Sequence, residues 1–523
     1  MKIKGVLALS LFFGLQTIIY GQQKENPSLF THHVPPRKEI RHKLKGYPQD
    51  NDLQQSTTRA SGDYIMQQFP TMGEIKGVVI LAAFTDVPFS TDTIGRLLSN
   101  RYNADNYSER VNFNEYSNNL GQDCQLDIIL PGSARDYFRT QSFGQFIPSF
   151  DVIGPITLDQ PRAYYGENTS SRNDKNTSGM IREACQKAYA MGLTDFTDYD
   201  NDGDGVVDFV YVVYAGSDEA QTGIEEAIWA KASNISLTLG NGIKIKRYAC
   251  SGELVIDLPV VAGIGTLIHE FSHVLGLPDF YNTKTEDFTM DIWSVMDYGM
   301  YNAEGFIPCA YTAFERYSLG WLPIQTLDAP ATLSIGTTDE EGKGYRIFTT
   351  TIDSTSLITK GDTASFYFIE TIRQEGWNLY AAANGLLISE VTYDSIAWRS
   401  NIVNVNKHRH CIVPADNSYN YKTAPKHLFG TENHEFTMSS IPASITKYGK
   451  VMDKPLTDIN YDTTTGKTSF HFRGGSLVGG LDNFKNQKSE IRNIYDLQGR
   501  TITHPSQGLY IQNGKKYLQK KYK

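Results

Sequence analysis

Residues His269-Glu270-Phe271-Ser272-His273-Val274-Leu275-Gly276-Leu277-Pro278-Asp279 constrain this chain more than any other stretch. They spell H-E-x-x-H-x-x-G-x-x-D. Two histidines four residues apart share one helical face, so both imidazoles can reach one ion. Glu270 projects near the same face, where it can take a proton from a water activated by that ion. Gly276 ends the helix and lets the chain turn back. That turn can bring Asp279 up as a third ligand. Three protein ligands leave a fourth position open, which marks a catalytic rather than a structural zinc site. The flanking Val261, Ile264, Leu267, Ile268, Phe271, Val274 and Leu275 are apolar, so the spacing predicts a buried helix from about residue 261. Polar side chains on a buried helix are costly unless something satisfies them, and a metal would.

The chain has 523 residues, too many for one small domain. Its hydrophobic fraction of 40% and charged fraction of 20% are those of an ordinary globular protein. A net charge of −9 argues against nucleic acid as a main partner. Lys2 and Lys4 precede an apolar run, strongest from Val6 to Phe13, that continues to Ile19, with Gly21 just ahead of Gln22. Residues 1–21 therefore read as a signal peptide, which implies export. No later segment is long and apolar enough to span a bilayer, so no transmembrane span is expected in the mature chain. Residues 22–72 read as a pro-segment or irregular arm, polar and basic from Arg37 to Lys45. Cys124, Cys185, Cys250, Cys309 and Cys411 are scattered without a C-x-x-C pair. They form neither a disulfide framework nor a second zinc site.

Beyond residue 72 the pattern becomes structured. Apolar runs at Gly77–Phe84, Leu126–Leu130, Phe150–Pro155 and Val206–Ala215 predict strands, and Ser178–Met191 predicts a helix. Strands followed by a buried active-site helix suggest a mixed α/β catalytic domain over 73–325. From 326 the helical signals fade. Tyr345–Thr349, Phe366–Glu370, Leu386–Ile388 and Thr468–Phe472 predict strands of a β-sandwich-like domain over 326–475. The tail, 476–523, carries nine basic residues against three acidic ones.

Two further constellations carry chemistry. Asp200, Asp202, Asp204 and Asp208, with Gly203 and Gly205 between them, resemble a short loop that wraps a hard cation in oxygen ligands, and calcium is expected there. A terminal Glu is lacking, so this is not a complete EF-hand. Past the zinc helix, Trp293-Ser294-Val295-Met296-Asp297-Tyr298-Gly299 offers Met296 as an apolar floor and Tyr298 as a hydroxyl aimed at a substrate oxyanion.

Together these pieces resemble the metzincin metallopeptidases and, within them, the immune inhibitor A family of secreted bacterial zinc proteases. Tyr137-Phe138, Ser142–Phe146, Asp151–Pro155 and Tyr164–Gly166 are similar to that family's aromatic strand region, and Gly320-Trp321 to its domain end. The resemblance implies an α+β, zincin-type catalytic domain. It implies that His269, His273 and Asp279 bind zinc, that Glu270 is general base and acid, and that Tyr298 stabilises the transition state. Asp is a minority third ligand among metzincins, with Glu286 and Asp287 as fallbacks. Ile494–Arg500, Gly508–Ile511 and Gly514–Lys516 resemble a type IX secretion sorting signal, which implies the secretion machinery as a partner.

The expected function is a secreted or surface-exposed zinc endopeptidase, made as a zymogen and acting on protein or peptide substrates. Two alternatives stand beside it. One is an adhesin or glycan-binding protein with a vestigial protease fold; the other is a zinc amidase acting on cell-wall material.

Overall fold

A computed structural model of the protein describes residues 71–475 apart from 113–126, 171–172, 256–259, 286, 350–363, 406, 447–451 and 453. It also describes 32–33, 494–495, 501–502, 508–512 and 515–519. The expected signal peptide, most of the 22–72 arm and Glu286 lie outside the described residues. Contacts divide the chain into two units, Met1–Ser476 and Leu477–Lys523.

The first unit opens on a mixed sheet. Its strands are β1 (His32–His33), β2 (Gly73–Ala83), β3 (Phe146–Thr157), β4 (Val206–Val207), β5 (Val210–Ser217), β6 (Lys231–Thr238) and β7 (Lys244–Leu254). The spatial order is β1-β6-β7-β5-β2-β3, with β4 beside β7. Strands β3, β2, β5 and β7 are mutually parallel, β6 is antiparallel to β7, and β1 pairs antiparallel with β6. Parallel strands covered on both faces need near-continuous apolar sequence. Val78 to Ala82 supplies it, with every residue fully buried. Alternate side chains serve opposite faces. Val78, Ile80 and Val212 join the buried cluster that holds helix α3 (Thr177–Ala190). Val79, Leu81 and Val213 face the cluster that holds helices α1 (Ile94–Asn103), α2 (Ala134–Gln141) and α4 (Gly265–Leu275).

Helix α4 carries the H-E-x-x-H motif and starts at Gly265 rather than near 261. Val261 instead makes a β-bridge with Leu254. At Gly265 the neighbouring backbone is so close that a Cβ would sit 2.1 Å from the Met300 carbonyl oxygen. The predicted strand Val206–Ala215 is divided, because Asp208 turns its N–H to the Tyr199 carbonyl. Phe271 anchors α4 to the sheet, with its ring centroid 4.6 Å from Phe209, 5.3 Å from Phe138 and Phe150, and 6.0 Å from Phe146.

From residue 324 the unit continues in strands. They are β8 (Ile324–Thr326), β9 (Ala331–Ile335), β10 (Gly344–Phe348), β11 (Ala364–Ile372), β12 (Gly385–Tyr393), β13 (His410–Ile412), β14 (Leu456–Asp462) and β15 (Lys467–Phe472). They form a five-stranded sheet, β8-β10-β11-β12-β13, and a three-stranded sheet, β9-β15-β14. Tyr367, Ile369 and Ile388 on one face of the larger sheet are buried with Leu456, Phe470 and Phe472 of the smaller one. Phe366, Phe368 and Leu387, on the opposite face, join the core around α4. Segments 73–325 and 326–475 thus share a hydrophobic core. At their junction the buried Glu370 accepts the Ala313 N–H at 2.8 Å, at the start of helix α5 (Ala313–Ser318). Among the described residues, the second unit has four short antiparallel strands, β16 (Ile494–Tyr495), β17 (Thr501–Ile502), β18 (Gly508–Gln512) and β19 (Lys515–Gln519), in the order β17-β16-β18-β19. Among the described residues, no helix is long and apolar enough to cross a membrane.

Two outcomes are expected. Phe271→Ala should destabilise the fold by about 3–5 kcal/mol, the cost of emptying a buried aromatic site, read from the denaturation midpoint. A loss under about 1 kcal/mol would refute the anchoring role. Burial raises the Glu370 pKa to about 7, against the bond from Ala313 and the charge of Arg316. The native state therefore keeps this proton to higher pH than the unfolded state. Its contribution is most favourable below about pH 4.5, and stability should fall by up to about 3 kcal/mol as pH rises to about 7. Glu370→Gln should flatten that part of the pH–stability curve; an unchanged slope would assign it to other groups.

Candidate metal centre

Helix α4 is buried throughout except for one partly covered residue at its start, and His269, Glu270 and His273 are all enclosed. Two carbonyl groups orient the imidazoles. His269 Nδ1 lies 2.8 Å from the Val295 carbonyl oxygen, and His273 Nδ1 lies 2.8 Å from that of Leu277. A carbonyl can only accept, so each Nδ1 carries the proton and each neutral ring presents its Nε2 lone pair. Burial lowers the His269 pKa and favours that neutral form, with Asp279 opposing. The rings stand nearly perpendicular, 4.8 Å apart at their centroids.

Gly276 closes the helix with φ of 106°, and its N–H reaches back to the carbonyls of His273 and Ser272. A residue with a Cβ is strained there. The turn carries the chain to Asp279, whose Oδ1 lies 3.3 Å from His269 Nε2 and 3.2 Å from His273 Nε2. The three atoms converge on one point, as a tetrahedral ion with an open position requires. Both carboxylate oxygens of Glu270 and Nε2 of His269 are buried without a hydrogen-bond partner among the described residues. Burial pushes the Glu270 carboxyl well above the usual carboxylate range, and the Asp279 charge adds to the push. A divalent cation at this point would reverse that effect. Two imidazole nitrogens and one carboxylate oxygen form a donor set suited to zinc. The fallback Asp287 is turned away; its Oδ2 accepts from Asn282 Nδ2 at 3.0 Å and Thr285 Oγ1 at 2.8 Å.

The segment after Asp279 returns beneath the helix. Val295 orients His269, and the Met296 carbonyl accepts the Phe280 N–H at 2.8 Å. Met296 is fully buried in the cluster that contains Ile268 and Phe271. Ser294 anchors the turn by donating its hydroxyl to Glu315 Oε1 at 2.7 Å. Tyr298, 7% exposed, opens a 3₁₀ segment over Tyr298–Gly305 that is broken by a kink at Asn302, Ala303 and Glu304, with its N–H on Asp297 Oδ1. Residues not singled out by sequence also shape the centre. Glu315 is one, and its Thr312–Glu315 capping box was a readable signal. Asn401 is another. Its amide binds Asp279 from 122 positions away, a separation no local pattern betrays.

In the acidic loop, Asp200, Asp202 and Asp204 bring their carboxylates together. Backbone N–H groups hold them; Asp200 accepts from Asp204 and Gly205, and Asp204 accepts from Val206. Asp208 is not part of this group. Its Oδ2 accepts the N–H and the amide of Asn201 instead, at 2.7 and 3.0 Å. Burial raises its pKa to about 6, with the Asn201 bonds opposing. Cys185, Cys250 and Cys309 are buried free thiols, Cys411 is buried as well, and Cys124 lies outside the described residues.

Known proteins resemble this part of the chain. Residues 68–323 match the catalytic domain of the immune inhibitor A peptidases, M6. The pre-pro-metalloprotease PrtV of Vibrio cholerae serotype O1 is 25% identical over 276 residues, covering 47% of this chain and 29% of that protein. Immune inhibitor A of Bacillus thuringiensis subsp. alesti is 25% identical over 259 residues, covering 43% of this chain and 36% of that protein. The match spans about a third of the length of these relatives. Residues 68–323 of this chain are thus similar to an immune inhibitor A peptidase catalytic domain, M6, and to the metalloproteases that carry it.

Proposed function

We propose that the protein is an exported zinc endopeptidase that cleaves peptide bonds of extracellular proteins, with its centre at His269, His273 and Asp279. The convergence of their three ligand atoms beside the unpartnered carboxylate oxygens of Glu270 carries this reading. Bound there, zinc would polarise the scissile carbonyl and lower the pKa of the attacking water. Glu270 takes the proton of that water and returns it to the leaving amine. Its buried position keeps competing solvent away from the transfer. Tyr298 donates its hydroxyl to the oxyanion, and Met296 forms an apolar floor. Residues 1–21 direct export, 22–72 act as a pro-segment, 326–475 form a β-sandwich, and 476–523 engage the secretion machinery. The Asp200–Asp204 loop takes calcium; the backbone N–H groups that shape it support this assignment.

Elemental analysis should find about one zinc per chain. Glu270→Gln should keep that zinc and lose casein cleavage by a factor on the order of 10²–10⁴. Undiminished cleavage by this variant would refute the assigned base. Calcium should raise the melting temperature of the wild type and not of Asp204→Asn. An equal rise in both would place the cation elsewhere.

A further inference from the structure

The third ligand is the least rigidly placed of the three by sequence, because Asp279 lies on a loop beyond the helix. The structure shows what holds it. Asp279 Oδ2 accepts the side-chain amide of Asn401 at 2.6 Å, and the Asp279 N–H donates to Asn401 Oδ1 at 2.7 Å. One side chain thus grips both the carboxylate and the backbone of the same residue. Both partners are buried, Asp279 1% and Asn401 7% exposed. With Oδ2 committed to Asn401, Oδ1 is the oxygen turned to the two imidazoles.

Asn401 comes from the second, strand-rich segment. It follows helix α6 (Ser395–Arg399), which Asp394 caps by accepting the N–H groups of Ile396 and Ala397. Its φ is 51°, a left-handed conformation that asparagine tolerates better than most residues. Its neighbours grip the same loop. Trp398 Nε1 donates to the Gly276 carbonyl at 3.1 Å, and Asn404 Nδ2 donates to the Phe280 carbonyl at 2.6 Å. The residue type at 401 is specific. Aspartate would set a second carboxylate against Asp279 and offer no donor. A residue without a side-chain amide would leave Oδ2 buried with no donor from this position.

We propose that Asn401 is a positioning residue of the metal centre, fixing the rotamer of Asp279 so that one oxygen, Oδ1, is presented to the ion. The proposal rests on the assignment of His269, His273 and Asp279 as metal ligands. Partners in this position commonly account for about 10- to 100-fold in metal affinity.

The test uses the full chain and zinc itself, with affinity read by competition against a chromophoric chelator. Asn401→Asp is isosteric, and Asn401→Gly suits the left-handed backbone while removing the side chain. Both are expected to fold, judged by circular dichroism in chelator, and to bind zinc on the order of 10- to 100-fold more weakly. Their cobalt-substituted forms should show altered visible bands. Trp398→Phe loosens the same strap without touching the amide, and its loss of zinc affinity should be clearly smaller than that of either Asn401 variant. Unchanged zinc affinity in both Asn401 variants overturns the proposal. So does failure of both to fold, or an equal loss in Trp398→Phe, since each makes the role merely structural. A wild-type chain that binds no zinc, or a His273→Ala variant that binds it as well as wild type, overturns the metal-centre reading and this role with it.

Discussion

An apolar helix that buries two imidazoles and a carboxylate is the constraint to which the rest of this structure answers. Each buried polar group on α4 must be satisfied or held for a ligand, because burial removes it from water. The Nδ1 atoms are satisfied by the carbonyls of Val295 and Leu277, both on irregular backbone that a regular element could not spare. What remains, Nε2 of His269 and the oxygens of Glu270, is buried without a hydrogen-bond partner among the described residues, which is what the proposed ion and its water would satisfy. Phe271, on the same helix, points the other way into a nest of aromatic rings and fixes α4 against the sheet. One turn of helix therefore carries both the chemistry and its foundation.

Much of this was legible in the residues, and the limits have physical reasons. The H-E-x-x-H spacing, the apolar runs of β2 and β5 and the glycine at 276 are local patterns, and local patterns encode helices, buried strands and caps. The strand pair β6 and β7 went unread, although Ile243-Lys244-Ile245-Lys246 alternates in the manner of a half-buried strand. The convergence of Asp200, Asp202 and Asp204 was readable from their spacing. The diversion of Asp208 was not, because it depends on where Asn201 turns its amide. The grip of Asn401 on Asp279 was illegible for a stronger reason: it is a contact between segments that only the folded chain brings together.

That contact alters the standing of the strand-rich segment. Its larger sheet faces two ways, one side against the smaller sheet and the other against the core around α4. The loop after β12 lies over the turn that carries Asp279. The segment is therefore better regarded as part of the wall around the centre than as an appended module. The family match ends at residue 323, so this wall is built from sequence outside the matched region.

The separation between Asp279 and Asn401 also imposes an order in time. A chain made from its N-terminus exposes the two histidines and Asp279 well before residue 401 exists. Contacts of such range carry a loop-closure cost and form late relative to local helices. The helix and its imidazoles depend on local contacts, whereas the carboxylate lacks its bonds to Asn401 until that residue is made. The centre is finished only when the second sheet docks. Maturation of the metal site is thereby tied to completion of the chain, and a nascent or truncated product holds the motif without the finished site.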